Sequence, residues 1–160
     1  MSDLVALLQE FYRDKLTMYL RHLAGARLVV QYDANNTYQY IINRDDVQLT
    51  WIAKAIEELG GTVAETPALP PHDDGRKEAN ARIFVDDAAE SQAFVDRWRP
   101  RIETMSNARH AKMLRVVLGE VLEQKRFFEQ AAAGRVDLLG RRQLNLEPAR
   151  GEVLPGRWIE

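Results

Sequence analysis

Apolar residues recur along this chain at steps of three and four. From Asp3 onward, Leu4, Leu8, Phe11, Leu16, Tyr19, Leu20 and Leu23 fall on one side of a 3.6-residue helix, and Ser2 or Asp3 offers a capping oxygen at its start. Two continuations are open past Gly25. One glycine costs a helix only about 1 kcal/mol, so the helix runs on through Leu28 to Tyr32, or that stretch forms a short strand. Asp33-Ala34-Asn35-Asn36 reads as a break and a new cap. A second helical pattern then places Ile41, Ile42, Leu49, Ile52, Ile56 and Leu59 inward, and Gly60-Gly61 ends it, because glycine tolerates the left-handed conformation of a helix terminus.

The stretch from Thr62 to Ile83 carries three prolines and little periodicity, and is too long for a tight turn between neighbouring helices. Asp86 or Asp87 is positioned to cap a third helix carrying Phe94, Val95 and Trp98. Pro100 removes a helical hydrogen bond and predicts a boundary between Trp98 and Arg101. The fourth pattern is the longest, with Ile102, Met105, His110, Leu114, Val117, Val121 and Phe128 on its apolar side and an end near Gly134. Residues 135–160 mix Gly, Pro and paired Arg with Leu138, Leu139, Val153, Leu154 and Trp158, which predicts an extended C-terminal arm. The arm docks on the bundle of residues 1–134 or clasps a second copy of the chain as a homodimer. The fold expected is all-α, a four-helix up-down bundle whose one long crossover starts the third helix parallel to the second.

A length of 160 residues with 46% hydrophobic content suits one domain with one core. Lys and Arg number 22 against 24 Asp and Glu, a net charge of -2 that supplies no bulk attraction to nucleic acid or to an acidic membrane. The absence of cysteine excludes a disulfide framework, a thiolate nucleophile and sulfur-ligated metals. No apolar run approaches the ~18 residues that span a bilayer, and the N-terminus lacks the features of a secretory signal, so the expectation is a cytoplasmic protein with no membrane partner. The basic run Arg97 to Arg101 is interrupted downstream by Glu103, Glu120 and Glu123, and reads as a solvated helix surface with Trp98 turned into the core.

Several polar residues interrupt the apolar stripes. On the first helix the seam Leu8, Tyr12, Leu16, Tyr19, Leu23 turns Tyr12 inward. On the second, Asp45 and Gln48 lie on the stripe of Ile41, Ile52 and Ile56, and on the fourth Asn107 and His110 precede Leu114 and Val117. Burying such groups unpaired costs about 1–3 kcal/mol each, so they must meet one another, water or an ion. One polar cluster joining the first, second and fourth helices is predicted.

Three runs carry a resemblance. Gln48–Gly61, QLTWIAKAIEELGG, resembles the end of the second helix in bacterioferritin- and rubrerythrin-like members of the ferritin-like superfamily. The run from Tyr12 to His22, YRDKLTMYLRH, is similar to the first-helix stretch that opens with a Glu ligand. Asn107–Leu114, NARHAKML, is similar to their Glu-x-x-His-Ala-x-x-Leu. The resemblance implies a di-iron or di-manganese centre whose ligand positions fall on Tyr12, Asp45, Gln48, Asn107 and His110, with Glu120 or Glu123 as substitutes further along the fourth helix.

Of the positions placed, Asp45 and His110 alone keep ordinary ligand chemistry. One Asp and one His cannot balance two metal ions or supply about six donors. The preferred reading is therefore a bundle without cofactor, a non-enzymatic structural or interaction module. The alternative keeps iron or manganese at Asp45 and His110, with help from Tyr12, Gln48 or Glu123, as an oxidoreductase or iron store. Were Asp45 surrounded by these residues alone, Asp45→Asn would leave stability nearly unchanged or higher.

Three histidines also invite comparison with the DinB-like bundles, which hold one metal with three histidines. However, His22 lies at a helix end, His72 in the proline-rich stretch, and the paired spacing on the last helix is missing. Ser106 and His110 share a helix face but lack an acid partner and a Gly-x-Ser-x-Gly elbow.

Overall fold

The computed structural model describes residues 2–63, 65, 80–135 and 138. These contain four helices, α1 (Ser2–Ala26), α2 (Tyr32–Glu58), α3 (Asn80–Glu103) and α4 (Ala108–Ala132), and no strand. No helix among the described residues is long and apolar enough to cross a membrane.

The helix ends follow local chemistry, and several differ from expectation. α1 stops at Ala26 in a turn closed by Leu28 N–H on the Gly25 carbonyl (2.9 Å), so residues 27–31 are neither helix nor strand. α2 begins before Asp33, because the Gln31 side chain accepts from Ala34 N–H at 2.6 Å and serves as the N-cap. Asp33 then sits in the first turn, where its charge suits the positive end of the helix dipole. Buried Asn35 turns back to donate to the Ala26 carbonyl at 3.2 Å, satisfying the end of α1.

The close of α2 is as predicted. Gly60 adopts φ +84°, Gly60 N–H bonds the Glu57 carbonyl and Gly61 N–H the Ile56 carbonyl, both at 2.9 Å, which is the paired pattern of a Schellman end.

α3 departs most. It begins at Asn80, so Asp86 and Asp87 lie inside it rather than capping it, and it runs through Pro100 to Glu103. Proline this close to the end costs the helix one internal hydrogen bond, and the chain breaks instead at Thr104–Asn107. Asn107 caps α4 by accepting from His110 N–H at 3.0 Å. Ile102 therefore belongs to α3, and Met105 to the connecting turn.

The helices pack as two hairpins, α1 with α2 and α3 with α4. Lys15 meets Asp45 while Asn35 meets Ala26, so α1 and α2 run antiparallel. Across the hairpins, Asp14 pairs with Arg97 and Arg21 with Asp87, making α1 antiparallel to α3. Gln48 meets Glu120 and Asp45 meets Gln124, making α2 antiparallel to α4.

Two large apolar clusters and a smaller third fill the interior among the described residues. The first gathers Leu8, Phe11, Ile52, Ile56, Phe94, Trp98, Ile102, Leu114 and Val117, with the Phe11 and Trp98 rings edge to face at 4.9 Å. The second gathers Val29, Tyr38, Ile41, Ile42, Phe84, Phe127 and Phe128. Leu138 packs on this second cluster, and the other apolar residues of the C-terminal arm, Leu139, Val153, Leu154 and Trp158, lie outside the described residues, as does His72. Between the clusters in helix numbering lies a layer of buried polar side chains: Lys15, His22, Asp45, Gln48, Ser91 and Gln124.

Candidate functional site

Asp45 is the centre of that layer. It is fully buried, and every oxygen is engaged: Lys15 Nζ donates to Oδ1 at 2.5 Å, Gln124 Nε2 donates to the same oxygen at 3.0 Å, and His22 Nδ1 stands 2.5 Å from Oδ2. Burial by itself would raise the pKa of Asp45, but the Lys15 ammonium and His22 outweigh it and hold the carboxyl at about 2. An ionised carboxylate only accepts, so His22 must carry its proton on Nδ1. The His22 ring also neighbours Phe128, their ring centroids 5.3 Å apart.

Lys15 and His22 are seven residues apart on α1, two turns along one stripe, so a single helix face delivers both to one carboxylate. That stripe is Leu8, Phe11, Lys15, Met18 and His22, all buried. It is rotated by one position from the predicted seam through Tyr12, Leu16 and Tyr19, which flanks the core instead. Leu16 there joins Leu20 and Leu49 in a small satellite cluster to which Tyr12 and Tyr19 are only partly buried.

A second rung lies one turn along α2. Gln48 Nε2 donates to Glu120 Oε2 at 2.5 Å, and Arg44 donates to Glu120 Oε1 through Nε at 2.9 Å and through Nη2. Gln48 and Gln124 thus commit their amide nitrogens to carboxylates. Their oxygens, Gln48 Oε1 and Gln124 Oε1, are left without a partner.

A separate buried carboxylate belongs to α3. Asp87 accepts from Tyr38 Oη on Oδ2 and from Arg21 Nε at 2.9 Å on Oδ1. Burial, and then the charge of Asp87 and the hydrogen bond to it, push the Tyr38 hydroxyl well above its ordinary pKa.

The predicted residues are only partly brought together. Asp45 and Gln48 lie in the layer, and the cluster does join α1, α2 and α4. Tyr12 lines a groove of about 330 Å³ on the outer side of α1 and α2 with Tyr19, Asp46, Leu49 and Glu57; burial and the charges of Asp46 and Glu57 raise its pKa. Asn107 is spent as the cap of α4. His110 lines a separate pocket with Trp51, Lys54, Glu58 and Met113. Glu123 is exposed and paired with Arg126 at 2.5 Å. Asp45 and His110 are thus not brought together: the neighbours of Asp45 are Lys15, His22 and Gln124.

Among the described residues no group of three or more His, Cys, Asp or Glu is placed to hold a metal ion. The donor chemistry at Asp45 does not suit one either. A divalent ion on that carboxylate would stand against the Lys15 ammonium, a like charge in a low-dielectric core. The Asp45 carboxylate thus meets its counter-charge within the chain.

Two of the three arginines of the Arg97–Arg101 stretch are engaged by α1, Arg97 with Asp14 at 2.9 Å and Arg101 with Glu10, while Trp98 is buried and donates to Asp14 at 2.6 Å. Sequence reasoning missed Lys15, Arg21, Asp87 and Gln124. The available signal was the three-four spacing of Leu8, Phe11, Lys15, Met18 and His22, which is as regular as the seam chosen in its place.

No family model matches the chain, and no curated protein or solved structure matches it either.

Proposed function

We propose that this chain is a non-enzymatic scaffold of ferritin-like architecture, in which the place of a metal cation is taken by the protein's own charged side chains, and whose role is to bind other protein chains, a second copy first among them. The observation that carries the reading is the saturation of Asp45 by Lys15, His22 and Gln124. A carboxylate neutralised by a fixed ammonium no longer needs a metal, and a metal bound there would first have to displace that ammonium. The directions of the helices support the architecture: with α1 antiparallel to α2 and α3, and α4 antiparallel to α2, the second and third helices run the same way. That shared direction is the one a bundle with a single crossover between its second and third helices requires.

The test is elemental mass spectrometry on protein purified without a His-tag or chelator, in parallel with Lys15→Met and Asp45→Asn. Far less than one equivalent of iron or manganese in all three is the expected result. About two ions per chain in the wild type, lost in Asp45→Asn, would restore the oxidoreductase or iron-store reading.

A further inference from the structure

The layer around Asp45 has more hydrogen-bonding capacity than its own side chains use. Lys15 is fully buried and its ammonium carries three protons, yet its acceptor among the described residues is Asp45 Oδ1 alone. Two donor positions on a buried cation are thus unmatched. Gln48 and Gln124 are 0% and 2% exposed, and the amide oxygen of each, Gln48 Oε1 and Gln124 Oε1, finds no donor among the described residues. Surplus donors and surplus acceptors therefore occur within the same few side chains, in an interior where buried polar groups are ordinarily paired.

Turning an amide over does not remove the mismatch. Gln124 Nε2 donates to Asp45 Oδ1 at 3.0 Å and Gln48 Nε2 to Glu120 Oε2 at 2.5 Å. An ionised carboxylate only accepts, so exchanging nitrogen and oxygen in either amide would set oxygen against oxygen. The unmatched groups are also neighbours. Lys15 Nζ and Gln124 Nε2 meet at one oxygen, Asp45 Oδ1, and Gln124 Oε1 is one bonded carbon away from that nitrogen. Asp45 and Gln48 are three positions apart on α2, and Glu120 and Gln124 four apart on α4, so the two amides cross between the same pair of helices on adjacent turns, in opposite directions.

Polarity selects what can satisfy them. An anion would suit Lys15 but face both glutamine oxygens and the Asp45 carboxylate, and a cation would suit the oxygens but face the ammonium. A water accepts from Lys15 and donates to both oxygens, a set of about three hydrogen bonds that is ordinary for a buried water. We infer that one internal water is bound between Lys15 Nζ, Gln124 Oε1 and Gln48 Oε1, and that it ties α1, α2 and α4 together beside the Asp45 carboxylate. All three side chains are closed to solvent, so this water exchanges only as the bundle opens. The third unpaired atom, His110 Nδ1, belongs to the pocket beside Trp51 and Met113 and takes no part. The site goes beyond the scaffold reading, which concerns metal content and the outer surface.

A crystal structure of the full chain, at a resolution that shows ordered water, should place one water within hydrogen-bond distance of all three atoms. Oxygen-17 relaxation dispersion of the solvent tests the same point in solution. The wild type should hold a long-lived water, and Gln48→Met with Gln124→Met should lose one per chain while the helical circular dichroism stays native. Methionine keeps the length of each side chain and removes both acceptors. The wild-type readings need no variant, so they decide the matter even where the double variant does not fold. A glutamine oxygen bonded directly to Lys15 with no water between them overturns the inference, as does a wild type without any long-lived water or a dispersion that the folded double variant leaves unchanged. A peak at this position with anomalous scattering at the iron or manganese edge overturns the scaffold reading as well, whereas a dry, metal-free site overturns the water alone.

Discussion

Removing one partner of the Lys15–Asp45 pair should cost far more than removing both. Both side chains are fully buried, and their nitrogen and oxygen are 2.5 Å apart. Deleting one member leaves a charge in the core with its desolvation uncompensated, which typically costs about 3–5 kcal/mol. Lys15→Met keeps the aliphatic stem and strands the Asp45 carboxylate with His22 and Gln124. Asp45→Asn keeps the shape and strands the Lys15 ammonium. The combined variant removes both charges and should recover most of the loss, giving a coupling energy of about 2 kcal/mol or more.

The depression of Asp45 from 3.8 to about 2 points to the same scale, about 2 kcal/mol favouring the ionised form. A domain in the middle or upper part of the ordinary range of about 5–15 kcal/mol would still be folded in each single variant, so urea unfolding followed by far-ultraviolet circular dichroism at neutral pH reads all four corners of the cycle. Single variants that each cost under about 1 kcal/mol, or a combined loss equal to their sum, would show that the pair is not the buried ion pair described here.

Two further outcomes follow from the same geometry. Because the folded pKa of Asp45 lies below its unfolded value, its contribution is complete above pH 3.8 and is lost as pH falls through about 2; the urea midpoint should drop across that window in the wild type, with a shallower slope in Asp45→Asn. Asn107→Ala removes the acceptor for His110 N–H and should cost about 1 kcal/mol, roughly 2–4 °C in Tm, while Asn107→Ser retains the cap; equal melting temperatures for wild type and Asn107→Ala would remove Asn107 from the capping role assigned to it.

The existence of four helices was legible because apolar residues at three- and four-residue steps dominate each of them, and Gly60-Gly61 carries its own stop signal. The boundaries were less so. Gly25, Asp33 and Pro100 all looked like punctuation, yet each effect is small or local. Gln31 had an amide able to reach Ala34 N–H, so the cap fell two residues before Asp33. Pro100 forfeits one bond near the end of α3, whereas Asn107 supplies a positive reason for a new helix to start. A chain breaks where the next start is stabilised, and a residue disfavoured in a helix marks that place only approximately.

The site turned on a shift of one position along α1. Tyr12, Tyr19 and Leu23 sit comfortably on the margin of a core or within it, so their spacing does not discriminate between two adjacent seams, and a lysine is by habit placed outside. In the fold the seam runs through Lys15 and His22, and Tyr12 lies on the groove side. Asp45 and Gln48 were visible because they interrupt a stripe of isoleucines; what they bond to was not, because the partners arrive from α1 and α4 by tertiary packing. The same register decides the sign of a mutation. With neutral neighbours, Asp45→Asn removes an ill-placed charge and is harmless. With Lys15 and His22 on the buried seam, it removes the counter-ion of a buried ammonium, so a measured loss of several kcal/mol in that single variant would fix the rotation of α1 in solution as well as the role of Asp45.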